Sequence, residues 1–147
     1  MTDGASAVLL ATDRWAQDRG LRPLAYVVDG ETAAVDFVTG RDGLLTAPVF
    51  ALPRLLARTG MRLQDFALAE IHEAFAATVL TTVAAWESAE FCRARLGLDA
   101  PIGALDSRLL NVKGSSLAAG HPFAATGGRI VASLQRCCTR REPGRGD

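Results

Sequence analysis

Residues 66–86 read Phe66-Ala-Leu-Ala-Glu-Ile71-His72-Glu73-Ala-Phe75-Ala-Ala-Thr-Val79-Leu-Thr-Thr82-Val83-Ala-Ala-Trp86, and this passage decides the fold class. Residues 66–71 form a run suited to a buried strand. Phe75, Val79, Thr82, Val83 and Trp86 then recur at the spacing of one helix face. His72 and Glu73 therefore stand where a strand becomes a helix. The same alternation of strand and helix along the chain predicts a layered α/β fold.

Upstream, residues 7–10 make a short apolar strand, and Thr12 or Asp13 caps a brief helix that Gly20 ends. Residues 24–28 and 33–38 read as strands around the turn pair Asp29-Gly30. Thr46 opens a helix in which Val49, Leu52, Leu55 and Leu56 share a face; Pro53 must kink it or delay its start, and Gly60 closes it. Downstream, Ser88 caps a short helix with Gly97 as its stop, and residues 98–108 form a connecting loop. Residues 109–112 give a last short strand. A glycine-rich passage from Gly114 to Pro122 follows, then a helix from about Pro122 to Cys138, with proline placed well for a first turn. The tail, residues 139–147, lacks apolar anchors and reads as disordered.

Composition narrows the function. The 147 residues suit one ordinary domain, with a hydrophobic fraction of 49% and a charged fraction of 22% that fit a globular chain. Sixteen basic residues balance sixteen acidic ones. No broad positive field exists to gather nucleic acid or an anionic membrane surface. No apolar run reaches the roughly 20 residues of a membrane span. The first residues have an acid at Asp3 and no basic lead-in, which argues against a signal peptide and for the cytoplasm. Three cysteines, two of them adjacent, make no disulfide framework and read as reduced thiols.

Both histidines of the chain, His72 and His121, fall at strand-to-helix junctions. In open α/β sheets, ligands collect at such junctions, and imidazole titrates nearest neutral pH. Gly114 and Gly120 bracket small residues, while Ala124, Ala125, Gly127 and Gly128 keep the next helix thin, so that another backbone or a ligand can approach. The loop lacks the spacing of either nucleotide-binding glycine motif. A zinc-protease reading of His72-Glu73 requires a histidine at position 76, where alanine stands, and no Cys-x-x-Cys pair is present, so no metal site is expected. Cys92 inside a helix and Cys137 and Cys138 at a helix end read as structural or incidental thiols.

Two blocks are more specific than these generic signals. Glu70-Ile-His-Glu-Ala-Phe-Ala-Ala77 resembles the Asn/His-Glu-Ala-Phe-Ala block of the thiolases. Asn111-Val-Lys-Gly-Ser-Ser-Leu-Ala-Ala-Gly-His-Pro-Phe-Ala-Ala-Thr-Gly-Gly128 resembles their Asn-Val-x-Gly-Gly-x-x-Ala-x-Gly-His-Pro block. Thr2 to Leu10 is similar to the segment that ends the N-terminal half of a thiolase, so the resemblance runs from residue 2 to about residue 135. The His-Glu-Ala-Phe form is similar to the fatty-acid β-oxidation branch.

The resemblance implies a thiolase-like layered α/β fold, in the form of an incomplete C-terminal domain with a mixed sheet and packed helices. Residues 1–20 are then a remnant of the N-terminal domain, and residues 21–138 a C-terminal domain lacking its last strands. It implies that His121 takes the proton from a nucleophilic cysteine, while His72 orients a water in an oxyanion hole. Gly120 and the small residues after it would lie against the pantetheine arm of CoA, with Ser115, Ser116 and Phe123 also at the substrate. Glu73, Asn111 and Gly114 would support the site. The partners implied are acyl-CoA and CoA, with CoA a co-substrate rather than a permanent cofactor, and a dimer or tetramer in the full-length family.

The implied activity is acyl transfer: thiolysis of 3-ketoacyl-CoA, or the reverse Claisen condensation, through a cysteine acyl-enzyme. The family's nucleophilic cysteine lies upstream of the match to Thr2. Its second catalytic cysteine belongs to a Cys-x-Gly loop after the last helix. The chain contains neither, so the expectation is a truncated thiolase domain, inactive alone. The alternative is a non-catalytic module that binds CoA or acyl-CoA, or pairs with a separate N-terminal half.

Overall fold

A computed structural model describes residues 2–140. Among the described residues six α-helices carry the architecture: α1 (Asp13–Gln17), α2 (Ala47–Thr59), α3 (Ala76–Glu87), α4 (Ala89–Phe91), α5 (Ser116–Ala119) and α6 (Thr126–Arg140). Thr12 caps α1 through its side-chain oxygen, which accepts from the Trp15 amide. Gly60 and Gly97 end their helices in the left-handed conformation, with φ of 71° and 68°. After α4 the backbone widens into one π-helical turn, Cys92–Leu96.

The core lies between α2 and the α3–α4 pair. Val49, Leu56, Leu63, Ala85 and Trp86 are buried there, with Phe50, Phe66, Phe91 and Leu105 packed around them. Pro53 sits inside α2 without ending it. A proline has no N–H, so the Val49 carbonyl one turn earlier lacks its helical donor. The indole Nε1 of Trp86 donates to that carbonyl at 3.4 Å. One core residue thus fills volume and also repairs the ladder that proline breaks. Cys92 is fully buried, its Sγ facing the carbonyls of Ala85 and Trp86 at 3.5 and 3.6 Å, in accord with a structural thiol.

The strands expected over residues 7–10, 24–28, 33–38, 66–71 and 109–112 do not assemble into a mixed sheet. Among the described residues one isolated parallel bridge forms, Ala69 to Leu110. The reason is local: a strand exists only against a neighbour that takes its N–H and C=O groups. Val27, Val28 and Val38 are 77%, 82% and 76% exposed, so apolar patterning alone has not paired them. Residues 29–31 are instead pinned to α2 by Arg58, which donates to Asp29, to Glu31 and to the Gly30 carbonyl.

Three helix boundaries also differ. The helix expected from Pro122 begins at Thr126, because Ala124 adopts a left-handed φ of 65° and the Ala125 amide closes a turn onto the Pro122 carbonyl. The same helix runs on to Arg140. Thr139 and Arg140, expected in a disordered tail, are therefore helical, and the rest of that expectation, residues 141–147, lies outside the described residues. Helix α3 starts at Ala76 rather than directly after Ile71. Residues 70–75 form an irregular turn that carries His72.

Candidate active site

The site is built where two chain segments meet. The Ala69 amide donates to the Leu109 carbonyl, and the Asn111 amide donates to the Ala69 carbonyl, each at 2.9 Å. Asn111 then locks the two turns together. Its Oδ1 accepts from the Ile71 amide at 2.8 Å, and its Nδ2 donates to the Ile71 carbonyl at 3.0 Å and to Glu73 Oε1 at 2.8 Å. The Glu73 carboxylate continues the clamp by accepting from the Leu117 amide at 3.0 Å, at the start of α5. Ser115 Oγ donates to the Ile71 carbonyl. Asn111 is a buried residue with φ of 50°, a conformation asparagine tolerates better than most.

This clamp makes one change costly. Asn111→Ala is expected to lose about 2–4 kcal/mol, from the Ile71 amide left without its partner, the lost bonds to the Ile71 carbonyl and Glu73, and a left-handed alanine. Asn111→Gly relieves the backbone but not the lost bonds, so it should recover roughly 1 kcal/mol of that. Urea unfolding of the two variants checks both numbers.

The clamp brings both histidines to one place. Their ring centroids lie 4.3 Å apart at 41°, and both residues are half-buried. His72 Nδ1 is 2.7 Å from Ser116 Oγ. His121 Nδ1 is 2.7 Å from Thr126 Oγ1, which donates in turn to the Pro122 carbonyl. Phe123, 88% exposed, lies 4.8 Å from the His121 ring. Arg129 Nη2 donates to Ser116 Oγ at 3.3 Å.

Electrostatics separates the titrating groups. Burial lowers the pKa of His72 below its ordinary 6.5, helped by His121 and Arg129 and opposed by Glu73. Its imidazole is therefore neutral around pH 7. Burial raises the Glu70 carboxyl, against the pull of Arg129. For His72 the unfolded chain binds the proton more tightly than the folded one, so stability falls as pH drops through 6.5 and levels off below the folded value. His72→Gln is expected to flatten that part of the stability–pH curve, measured by urea unfolding between pH 7.5 and about 5.

The residues expected at the substrate divide. Phe123 is exposed, whereas Gly120 is half-buried. Gly120 has φ of 85°, and a Cβ there would meet the Thr2 side chain at 2.7 Å, so residue 2 already occupies that side. Ser115, 1% exposed, is committed to the Ile71 carbonyl, and Ser116 serves His72. What approaches Gly128 is the chain's own segment: Ser6 lies against it, and Ser6 Oγ donates to the Ala125 carbonyl at 2.5 Å. A cleft of about 480 Å³ runs between residues 2–7 and α6, past Arg129 and Ser133, and neither histidine lines it. Among the described residues no three His, Cys, Asp or Glu side chains gather in a way that would hold a metal ion, and no helix is long and apolar enough to cross a membrane.

Thr126 and Arg129 are the site residues that sequence reading missed. The signal was present: both are polar residues on the first turns of α6, on the side facing back to Pro122 and α5. Their partners became visible only with the helix start in place.

Comparison with known proteins gives this geometry its context. The family model for the thiolase C-terminal domain matches residues 21–146. The 3-ketoacyl-CoA thiolase of Alteromonas mediterranea is 43% identical over 146 residues, covering 99% of this chain and 33% of the relative. That of Shewanella loihica is 42% identical with the same coverage. The chain thus spans about a third of the length of the curated relatives it matches. Among solved structures, human mitochondrial 3-ketoacyl-CoA thiolase superposes with a TM-score of 0.65 at 29% identity, over 89% of this chain and 28% of that one. The Acat5 thiolase of Ascaris suum in complex with coenzyme A gives 0.63 at 31%, over 86% and 28%. These neighbours share a thiolase-type α/β fold with the chain, and by sequence and by structure it belongs to the thiolase C-terminal domain family.

Proposed function

We propose that this domain supplies the general base and one oxyanion-hole group to acyl transfer between 3-ketoacyl-CoA and CoA. The observation that supports this most is the pairing of the two imidazoles, each with its Nδ1 held by a hydroxyl. His121, donating through Nδ1 to Thr126, keeps a lone pair on Nε2 and takes the proton from a cysteine thiol. His72, neutral, places a water, and through it a hydrogen bond, where the thioester oxygen gains charge. The thiolate attacks the 3-keto carbon, the C2–C3 bond breaks and acetyl-CoA leaves as its enolate, which takes up the proton drawn from the thiol; CoA then accepts the acyl group from the cysteine, and its own thiol proton returns to that cysteine.

None of the chain's own cysteines suits the nucleophile: Cys92 is sealed in the core and Cys137 and Cys138 lie on α6. The nucleophile in this reading comes from polypeptide outside these 147 residues. In that assembly residues 7–10, 24–28 and 33–38 pair as strands of a mixed sheet, and residues 1–20, ahead of the family match at residue 21, belong to the preceding domain. A cytoplasmic dimer or tetramer completes the proposal, with a CoA arm lying along Gly120 in place of the Thr2 side chain that covers it here.

The test is a chimaera in which this chain replaces the matching third of the Alteromonas mediterranea enzyme. CoA-dependent cleavage of acetoacetyl-CoA by the folded chimaera supports the reading; a folded chimaera without it overturns the reading. The 147-residue chain alone is expected to show no turnover with the same substrate. Calorimetric titration of that chain with CoA separates the alternative of a binding module, which requires substantial heat.

A further inference from the structure

The hydroxyl between His72 and Arg129 carries information about hydrogens. Ser116 is 6% exposed, and its Oγ has two polar neighbours: His72 Nδ1 at 2.7 Å and Arg129 Nη2 at 3.3 Å. A guanidinium only donates. It therefore occupies a lone pair of the hydroxyl and leaves the O–H to find an acceptor elsewhere. A buried hydroxyl hydrogen without an acceptor is costly. The acceptor within reach is His72 Nδ1.

We propose that Arg129 and Ser116 are positioning residues that fix His72 as the tautomer protonated on Nε2, with Nδ1 accepting from the Ser116 hydroxyl. Arg129 sets the direction of the hydroxyl, the hydroxyl sets the tautomer, and the tautomer turns His72 into a hydrogen-bond donor on its far nitrogen. Glu70 lies near enough for its charge to attract Arg129. The two imidazoles then have opposite hands. His121 keeps a free lone pair on Nε2 while His72 presents an N–H, so one ring accepts a proton and the other offers a hydrogen bond. Two lysines or two carboxylates so close would repel; two neutral imidazoles of opposite tautomer do not. The inference deepens the acyl-transfer reading and rests on it for its purpose, yet it concerns atoms of this chain alone.

The test uses the full 147-residue chain with 15N-labelled histidine and long-range 1H–15N correlation, which reads the protonation of each ring nitrogen at a pH where both rings are neutral. The wild-type chain is expected to show His72 protonated on Nε2 and not on Nδ1. Ser116→Ala is expected to shift the His72 tautomer ratio roughly fivefold towards the Nδ1-protonated form. Ser116→Thr, which restores the hydroxyl, brings the ratio back, and Arg129→Met gives a smaller shift in the same direction. A wild-type His72 protonated on Nδ1 overturns the proposal, as does a Ser116→Ala ratio equal to wild type. If Ser116→Ala does not fold, the wild-type spectrum alone decides. An independent result in the same spectrum bears on the acyl-transfer reading: His121 protonated on Nε2 removes the general base and leaves the His72 assignment untouched.

Discussion

In the chimaera with the Alteromonas enzyme, His121→Ala is expected to lower kcat/KM for acetoacetyl-CoA cleavage by about 10²–10⁴-fold, the range that a positioned general base contributes. The loss should fall mainly on kcat. Removing an imidazole that acts on the thiol leaves the binding of CoA largely as it was, and a fall in kcat with KM unchanged marks an interaction made in the transition state. The variant also leaves Thr126, 4% exposed, with one hydrogen-bond partner fewer. Thermal unfolding must therefore accompany the kinetics, with a destabilisation of about 1 kcal/mol expected. A variant that keeps more than about a tenth of wild-type kcat/KM, in a range set by general-base contributions, removes His121 from the chemistry.

Trp86→Ala is the largest expected effect on stability, about 3–5 kcal/mol for an aromatic removed from a packed core. That is a large share of the roughly 5–15 kcal/mol that ordinary domains possess. Trp86→Phe separates its two roles. It retains most of the ring contacts with Val49, Leu56 and Ala85 but has no N–H for the Val49 carbonyl that Pro53 leaves without a donor. The expected cost of the lost bond is about 1 kcal/mol beyond the lost area. Pro53→Ala returns a helical N–H to that carbonyl. The pair Pro53→Ala and Trp86→Phe should therefore be less destabilised than the sum of the single changes, a coupling readable in a double-mutant cycle. Additive losses show that the indole contributes volume alone.

These residues also show which parts of the molecule the sequence announces. The α2 and α3 helices were legible because Val49, Leu56, Val79 and Trp86 sit at helical spacing, and Gly60 and Gly97 mark stops through backbone freedom that other residues lack. The sheet was not, because strand pairing is a property of two segments, and residues 24–28 carry apolar pattern without saying what lies beside them. The start of α6 moved because Ala124 adopts a left-handed φ that its residue type does not advertise. At the site, His72, His121, Asn111 and Glu73 followed from their motifs. Ser116 was expected at the substrate; what the sequence did not announce is that its hydroxyl lies between a ring nitrogen and a guanidinium. A motif names residue types; the direction of a hydroxyl depends on what packs behind it.

The bridge between Ala69 and Leu110 gives the stretch joining them adjacent ends, while the helices within that stretch pack back onto α2. Added length on the solvent side of that stretch, around residues 97–101, should stay local, since extending a loop whose ends are already joined changes closure entropy only slowly. A slip of the bridge by a single residue has the opposite character. It would turn every side chain of the short pairing to the other face, take Asn111 away from Ile71, and leave two histidines that no longer share a site.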